Sequence, residues 1–116
     1  MTDELSAALP IEIDVHSAHR FTQPPTNVLL LDCRTVAEHA HVAIPGAILI
    51  PMDEIAARLA ELEPQKDARI IVHCHHGGRS LRVANWLREQ GYAQTQSMAG
   101  GIDAWAEQID PQLLRY

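Results

Sequence analysis

A chain of 116 residues, 47 % of them hydrophobic, suits one globular domain with a single core and excludes both a disordered protein and a multidomain assembly. Its net charge of −6 and pI near 5.5 argue against nucleic-acid binding, since no basic stripe is present to neutralise several phosphates. Two cysteines cannot make a disulfide framework, no window approaches the ~18 uninterrupted apolar residues of a membrane span, and Met1–Pro10 lacks a secretory pattern, so a cytoplasmic location is expected.

In chain order, Ile11-Glu12-Ile13 alternates as a short edge strand, and Asp14 or Ser17 is placed to cap a brief helix running to Phe21. Thr22–Asn27, with Pro24-Pro25, is a loop. Val28–Leu31 is apolar on both faces, as expected of a central strand in a parallel sheet covered on both sides. Asp32 closes it. Thr35–His39 reads as a helical turn with Thr35 as cap and Glu38 at the capping-box position. Ile44-Pro45-Gly46 turns the chain into a strand over Ala47–Ile50. The spacing of Ile55, Leu59 and Leu62 predicts a helix that begins at Asp53 and is ended by Pro64. Arg69–His73 is a strand, Arg79–Gln90 a helix closed by Gly91, Thr95–Met98 a last strand, and Ile102–Gln108 a helix that buries Trp105. Strands alternating with helices give an α/β domain: a mostly parallel sheet of about five strands with helices on both faces.

The stretch from Ile70 to Ser80 carries the chemistry. A β-branched run ends in Cys74, which opens a glycine-containing turn that leads into a helix. A thiol there meets the positive end of the helix, a ring of backbone N–H groups and the Arg79 cation, all of which favour a thiolate nucleophile. An inert buried thiol is the plain alternative. His73-Cys74-His75-His76 invites a zinc reading, but four consecutive residues around a tight turn cannot all converge on one tetrahedral centre, no second ligand pair sits at zinc spacing, and no metal or other cofactor is implied. His16, His19, His39 and His41 read as ordinary surface or half-buried residues, and Trp86 and Trp105 as packing residues. Cys33, at the end of the neighbouring strand, reads as a buried structural thiol, with trapping of a Cys74 persulfide as a disulfide the alternative.

Cys74-His75-His76-Gly77-Gly78-Arg79-Ser80 after an apolar strand resembles the active-site loop of the rhodanese (sulfurtransferase) family. Further matches lie in Leu30-Leu31-Asp32-Cys33-Arg34 with Glu38, in Ile44-Pro45-Gly46-Ala47 and in Gly100-Gly101-Ile102-Asp103-Ala104-Trp105. The resemblance covers roughly residues 11–108, with short extensions completing one domain over 1–116. Two positions depart from it: Val42-Ala43 stand where the family usually has Gly-His, and Cys33 where it has an aliphatic residue.

The resemblance implies a single rhodanese-like domain in which the Cys74 thiolate takes the outer sulfur of a donor such as thiosulfate or a persulfide. The resulting persulfide then passes its sulfur to cyanide, a thiol or a protein acceptor. It implies that His75, His76, Gly77, Gly78, Arg79 and Ser80 form the substrate-binding loop, with Arg79 on an anionic donor and Ser80 orienting the loop. Asp32 and Arg34 are implied as supporting residues. A sulfur relay or a non-enzymatic interaction module is the rival reading. A cysteine phosphatase or arsenate-reducing relative is weaker, because four residues separate Cys74 from Arg79 where those enzymes place five, and the shorter loop suits one sulfur atom.

Overall fold

The computed structural model describes residues 9–116; most of the Met1–Pro10 segment read above lies outside them. Five strands run parallel: β1 (Glu12–Ile13), β2 (Leu29–Asp32), β3 (Ile48–Leu49), β4 (Ile70–His73) and β5 (Thr95–Met98). Their spatial order is β1-β5-β4-β2-β3. The chain leaves β2 towards β3 at one edge and leaves β4 towards β5 on the other side. The carboxyl ends of β2 and β4 therefore frame a point where the connections diverge, the place at which open α/β sheets bind ligands.

Alternation along the strands builds a core on each face. Leu31, Ile70 and Val72 pack with Val83, Ala84 and Leu87 of helix α3 (Gly78–Glu89). Leu30 and Ile71 point the other way, against Val15 and Ala18 of α1 (Val15–Thr22) and against Ile102 and Trp105 of α4 (Gly101–Gln108). The same alternation puts Cys33 and Cys74 together in the α3-side core. Trp86 packs against that core from α3. Among the described residues no helix is long and apolar enough to cross a membrane.

Local signals account for the helix starts. Asp14 caps α1 by accepting from Ser17 N at 2.8 Å. Thr35 and Glu38 make the full capping box of α2 (Val36–His41). The helix expected from Asp53 does not form. In its place are two 3₁₀ segments, Met52–Glu54 and Leu59–Gln65, and Pro64 sits inside the second instead of ending it. Several backbone bonds here reach three residues back, as in Glu61 N to Arg58 O at 2.9 Å and Lys66 N to Glu63 O at 3.1 Å. Pro64 has no N–H to give Ala60, so a regular α-helix cannot continue through this position. The apolar stripe nevertheless lands where its spacing aims it, with Ile55 and Leu62 buried and Leu59 packed beside them.

His73 ends β4 fully buried, in register with Asp32 of β2. Burial pushes its imidazole down to about 4, with the nearby Asp32 carboxylate only partly opposing the shift. His73 is thus folded in as a neutral ring, whereas in the unfolded chain it takes a proton near pH 6.5. Its lowered value means that stability is complete above about pH 6.5 and is lost as pH falls towards 4, by at most about 3 kcal/mol. We expect the unfolding midpoint to fall across that window, and His73→Gln to flatten this part of the profile; an equally steep profile in the variant would assign the loss to other groups.

Candidate functional site

Cys74 leaves the central strand β4 and is 1 % exposed. Its Sγ accepts from the backbone N–H of Gly77 at 3.0 Å and of Ser80 at 3.3 Å. The thiol in turn reaches Ser80 Oγ at 3.5 Å. Gly77 makes this closure by adopting φ +115°, in the left-handed region that side chains avoid. Since α3 begins at Gly78, the N–H groups of its first turn have no partner within the helix. Together these donors surround the space next to one sulfur atom, where developing negative charge is stabilised.

The loop is held from below by the start of α4. Ile102 N donates to Cys74 O at 2.9 Å and Asp103 N to His75 O at 3.1 Å. The N-terminus of α4 is therefore spent on the loop backbone. This approach leaves no room at Gly101, where a Cβ would strike the carbonyls of Cys74 and His75, whereas a Cβ at Gly78 meets nothing within 4 Å. Ser80 is itself fixed: its Oγ contacts Gly77 O at 3.2 Å and the buried Ser97 hydroxyl at 2.7 Å. Either hydroxyl of the Ser80–Ser97 pair can donate, so Ser97 lets the Ser80 proton turn towards the sulfur.

Arg79 does not stand free at the mouth. Its Nη1 and Nη2 donate to the two oxygens of Glu38 at 2.7 and 2.9 Å, a fork-on-fork pair. The Arg79 guanidinium and a hydrogen bond from Tyr116, working against burial, hold Glu38 well below the usual carboxylate range. Tyr116 Oη donates to Glu38 Oε2 at 2.7 Å and receives Arg34 Nη1 at 2.9 Å. Its ring lies parallel to that of His75, centroids 3.9 Å apart and planes 5° apart. His75 also stacks on His76 at 3.8 Å, so the first two loop residues form part of an aromatic pile at the rim. His76 and Tyr116 are its exposed members, and His76 Nε2 lies 3.9 Å from Asp103 Oδ2.

Asp32 and Arg34 lie behind the loop as a fully buried pair, joined at 2.7 Å. Cys33 lies between them in sequence, and burial first, then the adjacent Cys74, raises its thiol far above the ordinary range, so it is held protonated. The structure thus brings Cys74, Ser80 and the loop backbone together around one sulfur, and places His75, His76 and Arg79 on the rim. Four further residues join the site without having been singled out for it. Glu38 was read for its cap and as part of the resemblance but given no role at the site, His39 as an ordinary surface or half-buried residue, and its Nδ1 lies 2.8 Å from Asp32 Oδ2, while Ser97 and Tyr116 carried no local signal.

The family profile described as Rhodanese-like domain matches residues 15–108. A sulfurtransferase of Allochromatium vinosum is 39 % identical over 95 residues, which are 82 % of this chain and 87 % of that protein. The Rhodanese-like/PpiC domain-containing protein 12, chloroplastic, of Arabidopsis thaliana is 32 % identical across 97 % of this chain, but the match spans only 40 % of its own length. Among solved structures, a rhodanese-like domain protein from Staphylococcus aureus superposes with a TM-score of 0.76 at 29 % identity, covering 92 % of this chain and 99 % of that one.

The two glycines give a direct check of how the loop is held. Gly101→Ala, at φ +61° with backbone carbonyls in the way, should lower stability by about 1–3 kcal/mol and increase alkylation of Cys74 as the loop lifts off α4. Gly78→Ala should leave both within error. Equal behaviour of the two variants would refute the packing of α4 under the loop as the constraint on its shape.

Proposed function

Because the chain belongs to the family of rhodanese-like sulfurtransferase domains, we propose that it moves a sulfane sulfur from a donor to a thiophilic acceptor through a persulfide on Cys74. The observation that supports this most is the paired donation of the Gly77 and Ser80 amides to Sγ at 3.0 and 3.3 Å, in a loop closed around a single atom.

The thiolate attacks the outer sulfur of thiosulfate or of a persulfide. A bond forms between Sγ and that sulfur, the donor's sulfur–sulfur bond breaks, and sulfite or a thiolate leaves with the electron pair. The Cys74 persulfide anion lies against the loop amides and the first turn of α3, which act as an oxyanion hole acts on a developing alkoxide. Cyanide or a thiolate then attacks the outer sulfur, takes it away and returns the Cys74 thiolate. Neither displacement has an obligatory proton transfer once the thiols are ionised.

Arg79, with His75 and His76, faces the incoming donor in this reading. The Glu38 pair orients the guanidinium and leaves its remaining N–H groups to the donor. Asp32 and Arg34 support the loop from behind through Glu38 and Tyr116.

Intact-mass measurement tests the reading directly. Wild-type protein should gain about 32 Da on treatment with thiosulfate or a low-molecular-weight persulfide and lose it with cyanide, whereas Cys74→Ser should gain nothing. A gain with neither donor would defeat the transferase reading and leave an interaction module. A stable gain that cyanide and thiols fail to remove would make the chain a sulfur carrier.

Arg79→Ala should reduce kcat/KM for thiosulfate by roughly ten- to a hundredfold and for an uncharged persulfide by much less, since only the former needs a cation. Equal losses with both donors would make Arg79 a residue that shapes the loop through Glu38 and nothing more.

A further inference from the structure

On the outer rim of the loop, His75, His76 and Asp103 form, among the described residues, the one group of three metal-ligating side chains whose donor atoms all lie within 4.8 Å of one another. We propose that these three side chains bind a divalent transition-metal ion of the Zn²⁺ class. The donor set is two imidazoles and one carboxylate, which suits Zn²⁺, Ni²⁺ or Cu²⁺ and disfavours Ca²⁺ and Mg²⁺, whose sites are built from oxygen.

Three observations carry this. The backbones that present the ligands are already bonded to each other, since Asp103 N donates to His75 O at 3.1 Å, so loop and helix supply the donors as one rigid unit. The His75 ring is fixed on one face by Tyr116 at 3.9 Å, and its Nε2 is buried without any hydrogen-bond partner. That nitrogen has left water and gained no partner in return, which leaves the His75 ring with unmet ligating capacity beside His76 and Asp103. Finally, Arg115 grips Asp103 through Nε to Oδ1 at 3.0 Å and Nη2 to Oδ2 at 3.1 Å. Each carboxylate oxygen keeps a second lone pair, and an outer partner of this kind is what orients a ligating carboxylate.

A tetrahedral ion with bonds of ~2.1 Å needs its ligands about 3.4 Å apart. The adjustment falls on His76, whose side chain is 66 % exposed and turns towards Asp103 Oδ2, 3.9 Å away, by tilting out of its stack on His75. The other histidines offer no such set: His39 is bound to Asp32, and His73 is enclosed in the core. Three protein ligands leave a position for water. Because two of them are the residues that follow Cys74, an ion here ties the loop rim to α4 and stands where a sulfur donor must approach. Zn²⁺ should therefore inhibit sulfur transfer, reversibly on chelation.

The test is Zn²⁺ competition against a chromogenic chelator, made in a Cys74→Ser background so that the reactive thiol cannot supply the ligand. The full chain should take up one Zn²⁺, with the affinity lowered roughly tenfold or more by His76→Ala and, separately, by Asp103→Asn, and unchanged by His16→Ala. Mg²⁺ in excess should not displace it. No competition with the chelator, or the same affinity in all four proteins, would overturn the proposal. His76 is exposed, so the fold tolerates its removal and that arm remains readable if Asp103→Asn is unstable. Binding is read without any sulfur chemistry, so this site and the transferase reading can fail independently.

Discussion

The buried carboxylate of Asp32 and the guanidinium of Arg34 are the interaction on which the site depends. Taking both charges out of water is costly unless every donor and acceptor finds a partner. Here they do. All five guanidinium N–H groups have an acceptor in reach: Asp32 Oδ1 at 2.9 Å and Oδ2 at 2.7 Å, Val42 O at 2.7 Å, Tyr116 Oη at 2.9 Å and Glu38 O at a long 3.4 Å. Asp32 also accepts from the Arg34 backbone at 3.0 Å. Burial alone would drive its carboxyl up, but Arg34, His73 and His39 together hold it below its ordinary value. One satisfied ion pair thereby ties the end of β2, the turn into α2, the exit of α2 and the Tyr116 side chain into a single unit.

From that unit the constraint passes outward to the sulfur. Tyr116 and the α2 capping box both bear on Glu38, and Glu38 fixes Arg79 in the first turn of α3. On the other side, α4 donates to the carbonyls of Cys74 and His75. The Cys74 loop is thus held at each end by elements that never touch Sγ. The design suits a thiol whose environment is backbone amide, since amides can be aimed only by fixing the chain that carries them. It also gives Val42 a role despite the departure from the family pattern at Val42-Ala43: what Arg34 uses at that position is the carbonyl at 2.7 Å, which any residue supplies.

How much of this is legible in sequence follows the range of each interaction. The β4–loop–α3 unit, the capping box of Thr35 and Glu38 and the β5–α4 pair are local patterns, and each was readable from a few adjacent residues. The segment after Asp53 shows a limit: an apolar spacing of three and four identifies the face that is buried but does not separate an α-helix from successive 3₁₀ turns. Tyr116 shows another. It lies 82 residues from Arg34 and 78 from Glu38, and nothing in its neighbourhood marks it as part of a site at the opposite end of the chain. Ser97 is similar, a small polar residue in a short strand whose meaning appears only when β5 is placed beside the start of α3.

The same long-range placement separates sulfur chemistry from phosphate chemistry more firmly than loop length alone. A phosphate needs an open cradle of amides and a free arginine to take its equatorial oxygens. In this chain the amides nearest Cys74 already converge on Sγ, and the sulfur is 1 % exposed. A phosphoryl group bonded to Sγ would carry three oxygens into this closed loop and could enter only by opening it. One sulfur atom bonded to Sγ adds about 2 Å along one direction, and so asks for a small outward shift of the rim formed by His75, His76 and Tyr116. The residues that decide access are then the exposed aromatic pile, not the buried amides. A change of substrate class on this scaffold therefore needs changes at the rim, even with Cys74 and the whole amide ring kept intact.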